Sequence, residues 1–333
     1  MSSRRQILAV LGAGGLATVA YRIFGGGGGM VARGLKWPRG ITPAITPDGD
    51  HYQVSKNFLF SGPRVDLSRW RLDVHGLVSR PLSLSLDDLR AMPAVEEPAT
   101  LACIGNSVPA RAINTAMWKG VRLSDVLAQA GIAAGTVRDV VFIGADNYTD
   151  SIPLDRARHP GTILAYEMNG QPVSRGHGAP LRAIVPGIYG MKNVKWIEAI
   201  ELVGGDYLGY WQQRGWSDTA PCQTLSRIDE PRNGDALRAG MPHLLSGIAF
   251  SGDRGISHVE LAINDLVITP RLEPARGPYT WAIWTHDWTP ESPGDYELRV
   301  RAYDLNGEAQ TVSVQPSFPT GATGLHRVVV SVA

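Results

Sequence analysis

Cysteine is scarce in this chain: Cys103 and Cys222 are the only two in 333 residues. Two cysteines cannot supply a CxxC pair with two further ligands, and no CxxCH occurs. The sequence therefore offers no zinc ribbon, no c-type haem attachment and no iron–sulfur cluster. An excess of either charge is lacking as well. Lys and Arg total 32 against 31 for Asp and Glu, and no basic run follows the first few residues. That argues against nucleic acid as a partner. No hydrophobic run is long: the apolar stretch over 7–20 falls short of the roughly 20 residues a spanning helix needs. Internal repeats are absent, and 44% apolar residues exclude a disordered composition. A chain this long exceeds one ordinary domain, so two domains after a leader are expected.

The leader is read from Arg4 and Arg5, which stand directly before Gln6, Ile7 and Leu8 and a Gly- and Ala-rich apolar segment. Such a twin arginine is similar to the signal read by the translocase that exports folded proteins. No small-x-small cleavage site follows cleanly, so a retained membrane tether at the N-terminus stands beside cleavage. The glycines at 25–29 read as a flexible link. Residues 1–29 are thus the expected leader, and the expected location is the periplasm or the outer face of the cytoplasmic membrane.

Over 30–221, short β-like runs alternate with short helical patterns, among them LSLDDLRAM and VRLSDVLAQAGI. Asp87 and Asp88 open one predicted helix, Ser124 caps the next, and Gly131 closes it. Irregular Pro- and Gly-rich connections point to an α+β domain rather than βαβ repeats. Over 222–333 the texture changes to alternating runs such as HVELAIN and YELRVRAYD, broken by Asn, Asp, Gly and Pro. Strands at that spacing predict a β-sandwich.

The chemistry centres on Cys103, in TLACIGNSVPARAINTAMWKG, with LAYEMNGQPVSRGHGAPLRAIVPG downstream. Read from the residues alone, Cys103 is a soft metal ligand, a buried small hydrophobe, or one half of a disulfide with Cys222. His177 and Arg182 in RGHGAPLR offer charge-assisted donors of the kind that hold a phosphate. Glycines 176, 178, 187 and 190 permit close backbone approach to a ligand.

Together these segments resemble the sulfite oxidase family of molybdopterin enzymes. The likeness extends through HYQVSKNFLFSGPRVDLSRW, YWQQRGW, WAIW and GLHRVVVSV. It implies a molybdopterin-binding domain followed by an immunoglobulin-like β-sandwich, of the type used in dimerisation, and hence a homodimer. It implies molybdenum-molybdopterin as cofactor, with Cys103 as the single protein ligand to the metal. Lys56, Asn57, Asp146, His177, Arg182, Asn193, Val194 and Lys195 fall at cofactor-contact positions, Asn193 and Val194 through backbone groups. Tyr166, in LAYEMNG, falls at the position of the active-site tyrosine, where its hydroxyl would donate to substrate or to a metal oxo group. Trp118 is read as packing and Cys222 as structural.

The implied reaction is two-electron oxygen-atom transfer on a small oxo-acceptor or oxo-donor. With no haem motif in this chain, electrons would pass to or from a separate protein such as a c-type cytochrome. One departure bears on substrate. Oxyanion-binding members of the family carry an arginine pair after C-x-G-N, where this chain has Ser107 and Val108. Lys56 and Arg111 are the residues left to substitute in part. A sulfoxide-type reductase on the same fold, and a non-catalytic exported binding protein, are the alternatives.

Overall fold

Alternation of apolar and polar side chains decides most of this architecture, because a period of two puts successive residues on opposite faces of a sheet. The computed structural model describes residues 21–23, 30–33, 39–56, 62–132, 135 and 137–333. The twin arginine and Asn57 lie outside these described residues. Strand dominates, and the α-helices among the described residues are short: Leu86–Ala91, Leu123–Ala130 and Leu154–Arg158.

The first helix begins at Ser85, ahead of the expected Asp87. The Ser85 hydroxyl accepts from the Asp88 amide at 3.1 Å, and the Asp88 carboxylate accepts from the Ser85 amide at 2.8 Å. This reciprocal pair satisfies two amides that the helix itself leaves unbonded. Ser124 does not cap the second helix. It lies one residue inside it, and Arg122 stands at the cap without a side-chain bond. Gly131 does end that helix, at φ +69°.

Two five-stranded sheets build the N-terminal part. One runs Gln171–Pro172, Ile163–Met168, Ile113–Arg122, Ala94–Ala102, with Arg182–Ile184 also pairing to Ile163–Met168. The other orders Leu82–Leu84, Leu72–Gly76, Ile197–Val203, Asp139–Gly144, Thr149–Pro153, with one parallel pairing at its centre. The first of these sheets divides two apolar cores. Ile163 and Ala165 face a core that holds Cys103, Ile113 and Trp118, whereas Leu164 and Tyr166 face one built on Leu72, Phe142 and Ile200.

A four-stranded and a five-stranded sheet form the C-terminal part and enclose a third core of residues such as Ile228, Val259, Trp284, Val300 and Val330. Packing does not break between the two parts. Ile248, Phe250, Trp281 and Ile283 reach into the core that holds Cys103. Trp281 donates its amide to the Thr100 hydroxyl at 2.9 Å, and buried Arg227 donates to the Ala110 carbonyl at 2.5 Å. Arg227 is itself paired with Asp229, which accepts from Thr42 at 2.6 Å. The C-terminal part thus grips the loop that follows Cys103.

Candidate active site

Cys103 leaves the end of the Ala94–Ala102 strand and lines a cleft. Its amide donates to the Ala112 carbonyl at 2.9 Å. Asn106 closes the loop between them, bonding both the amide and the carbonyl of Ala112 at 2.9 Å. The side chain of Asn106 therefore replaces a missing strand partner and fixes where the cysteine points. Burial pushes the Cys103 thiol up to about 11, against a backbone bond from Gly105 that favours the thiolate. Left to itself the thiol stays protonated at neutral pH; a bound metal cation would take it as thiolate. Cys222 is also buried and free, so the two cysteines form no disulfide.

One wall of the cleft is cationic. His51, Lys56, His177, Arg182 and Lys195 line it, and Asp146 is the one carboxylate among the described lining residues. Arg182 lies over the Trp118 ring at 4.8 Å and donates to the His177 carbonyl at 2.8 Å. Its Nε has no hydrogen-bond partner, nor has Nε2 of His51. The rings of His51 and His177 meet edge to face at 5.2 Å. Lys195 donates to the Val54 carbonyl at 3.0 Å and sits 4.1 Å from the centroid of the Trp196 ring.

These groups pay for their crowding in protonation. Burial first, then Arg182, takes Lys195 down to about 7, and burial with Arg182 and Lys195 takes His177 to about 4. Burial lowers Arg182 to about 10 and His51 well below the usual imidazole range. Buried cations are normally matched by carboxylates. Here carbonyls and aromatic rings stand in their place, which leaves the wall short of negative charge.

Backbone geometry keeps the wall open. Gly178 has φ +118°, and a Cβ there would meet the side chains of Lys195 and Arg182 at 3.0 and 3.1 Å. A Cβ on Gly190 would fall 2.7 Å from the Tyr52 hydroxyl. Asn193 lines the cleft, but its amide group is committed to the scaffold, accepting from Val185 at 2.7 Å. Its carbonyl accepts from Arg182, and that of Val194 from Ala183 at 2.8 Å. Lys56 lies 4.9 Å from the centroid of the Tyr210 ring.

Tyr166 is not part of the cleft. It is 4% exposed in the second core, where the guanidinium of Arg90 lies 5.9 Å from its ring centroid. The reason is strand parity: Ala165 faces the Cys103 side, so its neighbour must face away. The tyrosines that do line the cleft are Tyr52 and Tyr148. Tyr148 is two residues beyond the expected contact Asp146, and it is the residue that the motif reading missed. Its hydroxyl has two acceptors, Asp150 at 3.0 Å and the Met191 carbonyl at 2.9 Å. His51, Gln53 and Trp211 complete the missed set, and the alternation in HYQVSK was the available signal for the first of them. Arg111 and Ser107 are exposed and do not line the cleft. The charge of Arg111 acts instead on His326 of the C-terminal part.

A buried thiol and a wall rich in basic side chains, with one carboxylate beside them, suit an anionic ligand. Residues 60–211 match the family model described as the oxidoreductase molybdopterin binding domain. The chain is 33% identical to the mitochondrial sulfite oxidase of Macaca fascicularis over 324 residues, covering 81% of this chain and 59% of that protein. Against the mitochondrial sulfite oxidase of Homo sapiens it is 33% identical, covering 76% and 55%. A nitrate reductase [NAD(P)H] of Hordeum vulgare is 30% identical, with 78% of this chain and 36% of that protein covered. Among solved structures, the sulfane dehydrogenase SoxCD from Paracoccus pantotrophus superposes with a TM-score of 0.76 at 20% identity, covering 92% of this chain and 87% of that one. The chain belongs to the sulfite oxidase family of molybdopterin oxidoreductases. It spans somewhat over half the length of the mammalian relatives.

The cleft fits the cofactor that this family implies. Arg182 stays charged with its Nε orphaned, and a bound anion would satisfy that donor and restore the proton that burial takes from Lys195. A terminal phosphate would supply that charge, and Cys103 would offer the soft ligand that a thiophilic metal needs.

Proposed function

We propose that this protein catalyses two-electron oxygen-atom transfer at a molybdenum centre held by Cys103, and exchanges electrons with a separate protein of the c-type cytochrome kind. The observation that carries the proposal is the opening of one buried thiol and one wall rich in basic side chains, with the Nε of Arg182 orphaned, onto the same cleft. When bound, the cofactor supplies a two-electron, oxygen-transferring metal. His177, Arg182 and Lys195 hold the phosphate end, while the backbone at Gly178 and Gly190 lets the ligand lie close. Asp146 accepts from the Tyr148 amide at 3.0 Å and sets the turn that carries Tyr148 into the cleft. Leu101, Ile104, Met191 and Trp211 give the remaining lining an apolar character that excludes water from the reacting centre.

That lining, with Ser107 exposed and Arg111 turned away, favours a neutral or weakly charged oxo-acceptor over a small oxyanion. Export through the twin arginine, an immunoglobulin-like C-terminal sandwich and a homodimer built on it belong to the same proposal. The test is direct. Protein purified from cells that make the cofactor should carry close to one molybdenum per chain and turn over with an oxidised cytochrome c or, in reverse, with reduced viologen dye. Metal-free protein from such cells would return the chain to the class of non-catalytic binding proteins. Turnover with viologen and a sulfoxide alone would make it a reductase.

A further inference from the structure

From the cleft, a line of side chains runs outward to solvent. Tyr148 lines the cleft, and its hydroxyl donates to Asp150 Oδ2 at 3.0 Å. The other oxygen of Asp150 takes Lys192 Nζ at 2.9 Å, and the same nitrogen meets Asp218 Oδ1 at 3.0 Å. Asp150 and Lys192 are shut in, with side-chain exposures of 0% and 3%, whereas that of Asp218 is 40%. We infer that Tyr148, Asp150, Lys192 and Asp218 form a proton relay between the cleft and bulk water. The inference rests on the oxygen-transfer reading above and adds to it the route by which protons leave.

Every link alternates an acceptor with a group that can give up its proton. The single hydrogen of Tyr148 is claimed by Asp150 and the Met191 carbonyl, so the remaining capacity of that hydroxyl is to accept. Lys192 has three protons and three acceptors: Asp150, Asp218 and the Ser151 carbonyl at 2.9 Å. A pair buried only for stability gains little, since desolvation offsets the attraction. A buried pair that ends in a half-exposed carboxylate has a further use.

In the oxidative direction one water is consumed per oxygen delivered, releasing two protons and two electrons. The electrons go to the one-electron acceptor protein in two steps. For each proton, an O–H bond of the cleft water breaks as one to Tyr148 Oη forms, and the original tyrosine proton passes to Asp150. Lys192 gives a proton to Asp218, which releases it to solvent, and Lys192 then takes the proton from Asp150. All four groups return to their starting state. The groups facing this line are Asp146 and Cys103 toward Tyr148, with Gln212 donating to Asp150 at 3.3 Å. Burial raises the Asp150 carboxyl above its usual range, with Lys192 opposing, which brings it nearer to sharing a proton.

The experiment uses cofactor-loaded enzyme of measured metal content, with sulfite as oxygen acceptor and oxidised cytochrome c as electron acceptor. The decisive variant is Lys192→Arg. Arginine keeps the charge and both carboxylate contacts, yet it does not release a proton at working pH. We expect kcat to fall about a hundredfold, the lower end of what positioned proton transfer contributes, with KM little changed. The solvent deuterium isotope effect on kcat should rise. Asp150→Asn should do the same, and Asp218→Asn, at the exposed end where folding is not at stake, should show a smaller fall with the same isotope signature. Wild-type kcat and isotope effect in all three variants would overturn the relay and leave the proposed function standing. Fully loaded wild-type enzyme that turns over neither sulfite with cytochrome c nor a sulfoxide with reduced viologen would overturn the proposed function instead. The first link is then tested by tyrosinate absorbance: Tyr148, whose ionisation Asp150 opposes, should titrate at lower pH in Asp150→Asn, and an unchanged titration would overturn the relay as well.

Discussion

Lys195 offers the sharpest test of the cationic wall, because a group that serves only an absent anion should burden the protein without it. Its folded value is about 7, against an ordinary 10.5. Below pH 7 both folded and unfolded forms carry the charge, and the full burial cost is present. Between 7 and 10.5 the unfolded chain binds the proton more tightly, so stability rises with pH as the cost fades. At about 1.36 kcal/mol per unit, the gap amounts to about 4.8 kcal/mol at low pH as an upper bound. Lys195→Met removes that cost together with two hydrogen bonds to carbonyls, each worth about 1 kcal/mol, and the contact with Trp196, worth about 1 kcal/mol. The cofactor-free variant should therefore be more stable than wild type at pH 6, by about 2 kcal/mol. That advantage should shrink by about 2.5 kcal/mol on going to pH 9. Urea unfolding of both proteins without cofactor, at pH 6 and pH 9, measures it. In the loaded protein the order should reverse, since a charge-assisted bond worth about 1.5–3 kcal/mol is lost. A variant destabilised equally at both pH values would show Lys195 to be an ordinary structural lysine and would refute the reasoning.

Cys103→Ser exchanges a soft ligand for a hard, weakly acidic one, so molybdenum-dependent turnover should collapse by orders of magnitude while bound pterin largely remains. Cys222→Ser should keep activity; loss confined to that variant would reverse the assignment of the ligand. Tyr148→Phe should depress kcat, whereas Tyr166→Phe, in the other core, should leave steady-state kinetics as they are; the opposite pattern would restore the motif-based choice. Sulfite should bind weakly, at least about tenfold worse for each missing charge-assisted donor, with KM rising steeply with ionic strength and rising further in Lys56→Met but not in Arg111→Ala. Tight sulfite binding would overturn the substrate reading. Changing Arg4 and Arg5 to Lys should stop export, which fractionation detects, because a twin-arginine signal is read as an address rather than a charge.

What the sequence made legible was chemistry carried by local motifs. Cys103, His177, Arg182, Asn193, Val194 and Lys195 lie in two short segments whose turns bring them to one cleft, and Asp146 and Lys56 join them there. What it hid depends on parity and on contacts distant in sequence. Tyr166 sits in a persuasive motif, yet the strand register turns it to the other core, and the bulge between Ala165 and Glu167 is invisible without the paired strand. Ser124 has the chemistry of a cap, but the helix starts at Leu123 and leaves it inside the first turn, whereas Ser85 stands at the cap position itself. The expected boundary at 221 follows a change in texture, whereas packing follows burial: Phe250 and Trp281 lie in the same core as Cys103. The α+β expectation also overstates helix, because strands carry most of the N-terminal part.

Two buried lysines three residues apart show how one segment divides its labour. Lys192 has carboxylates at 2.9 and 3.0 Å, and its charge is settled within the chain. Lys195 has carbonyls and an indole ring, and its charge is left for something else. Sequence gives the two the same letter. The difference comes from which strand end each faces: Lys192 looks to the Thr149–Pro153 side, where Asp150 points inward, and Lys195 looks to Val54 and Gly176, where carbonyls accept from it and Asp146 lends only part of the charge it needs. An ion pair placed at the second position would stabilise the empty fold and compete with an incoming phosphate. Leaving it out accepts a less stable empty protein in return for affinity, which is how a binding site differs from a core.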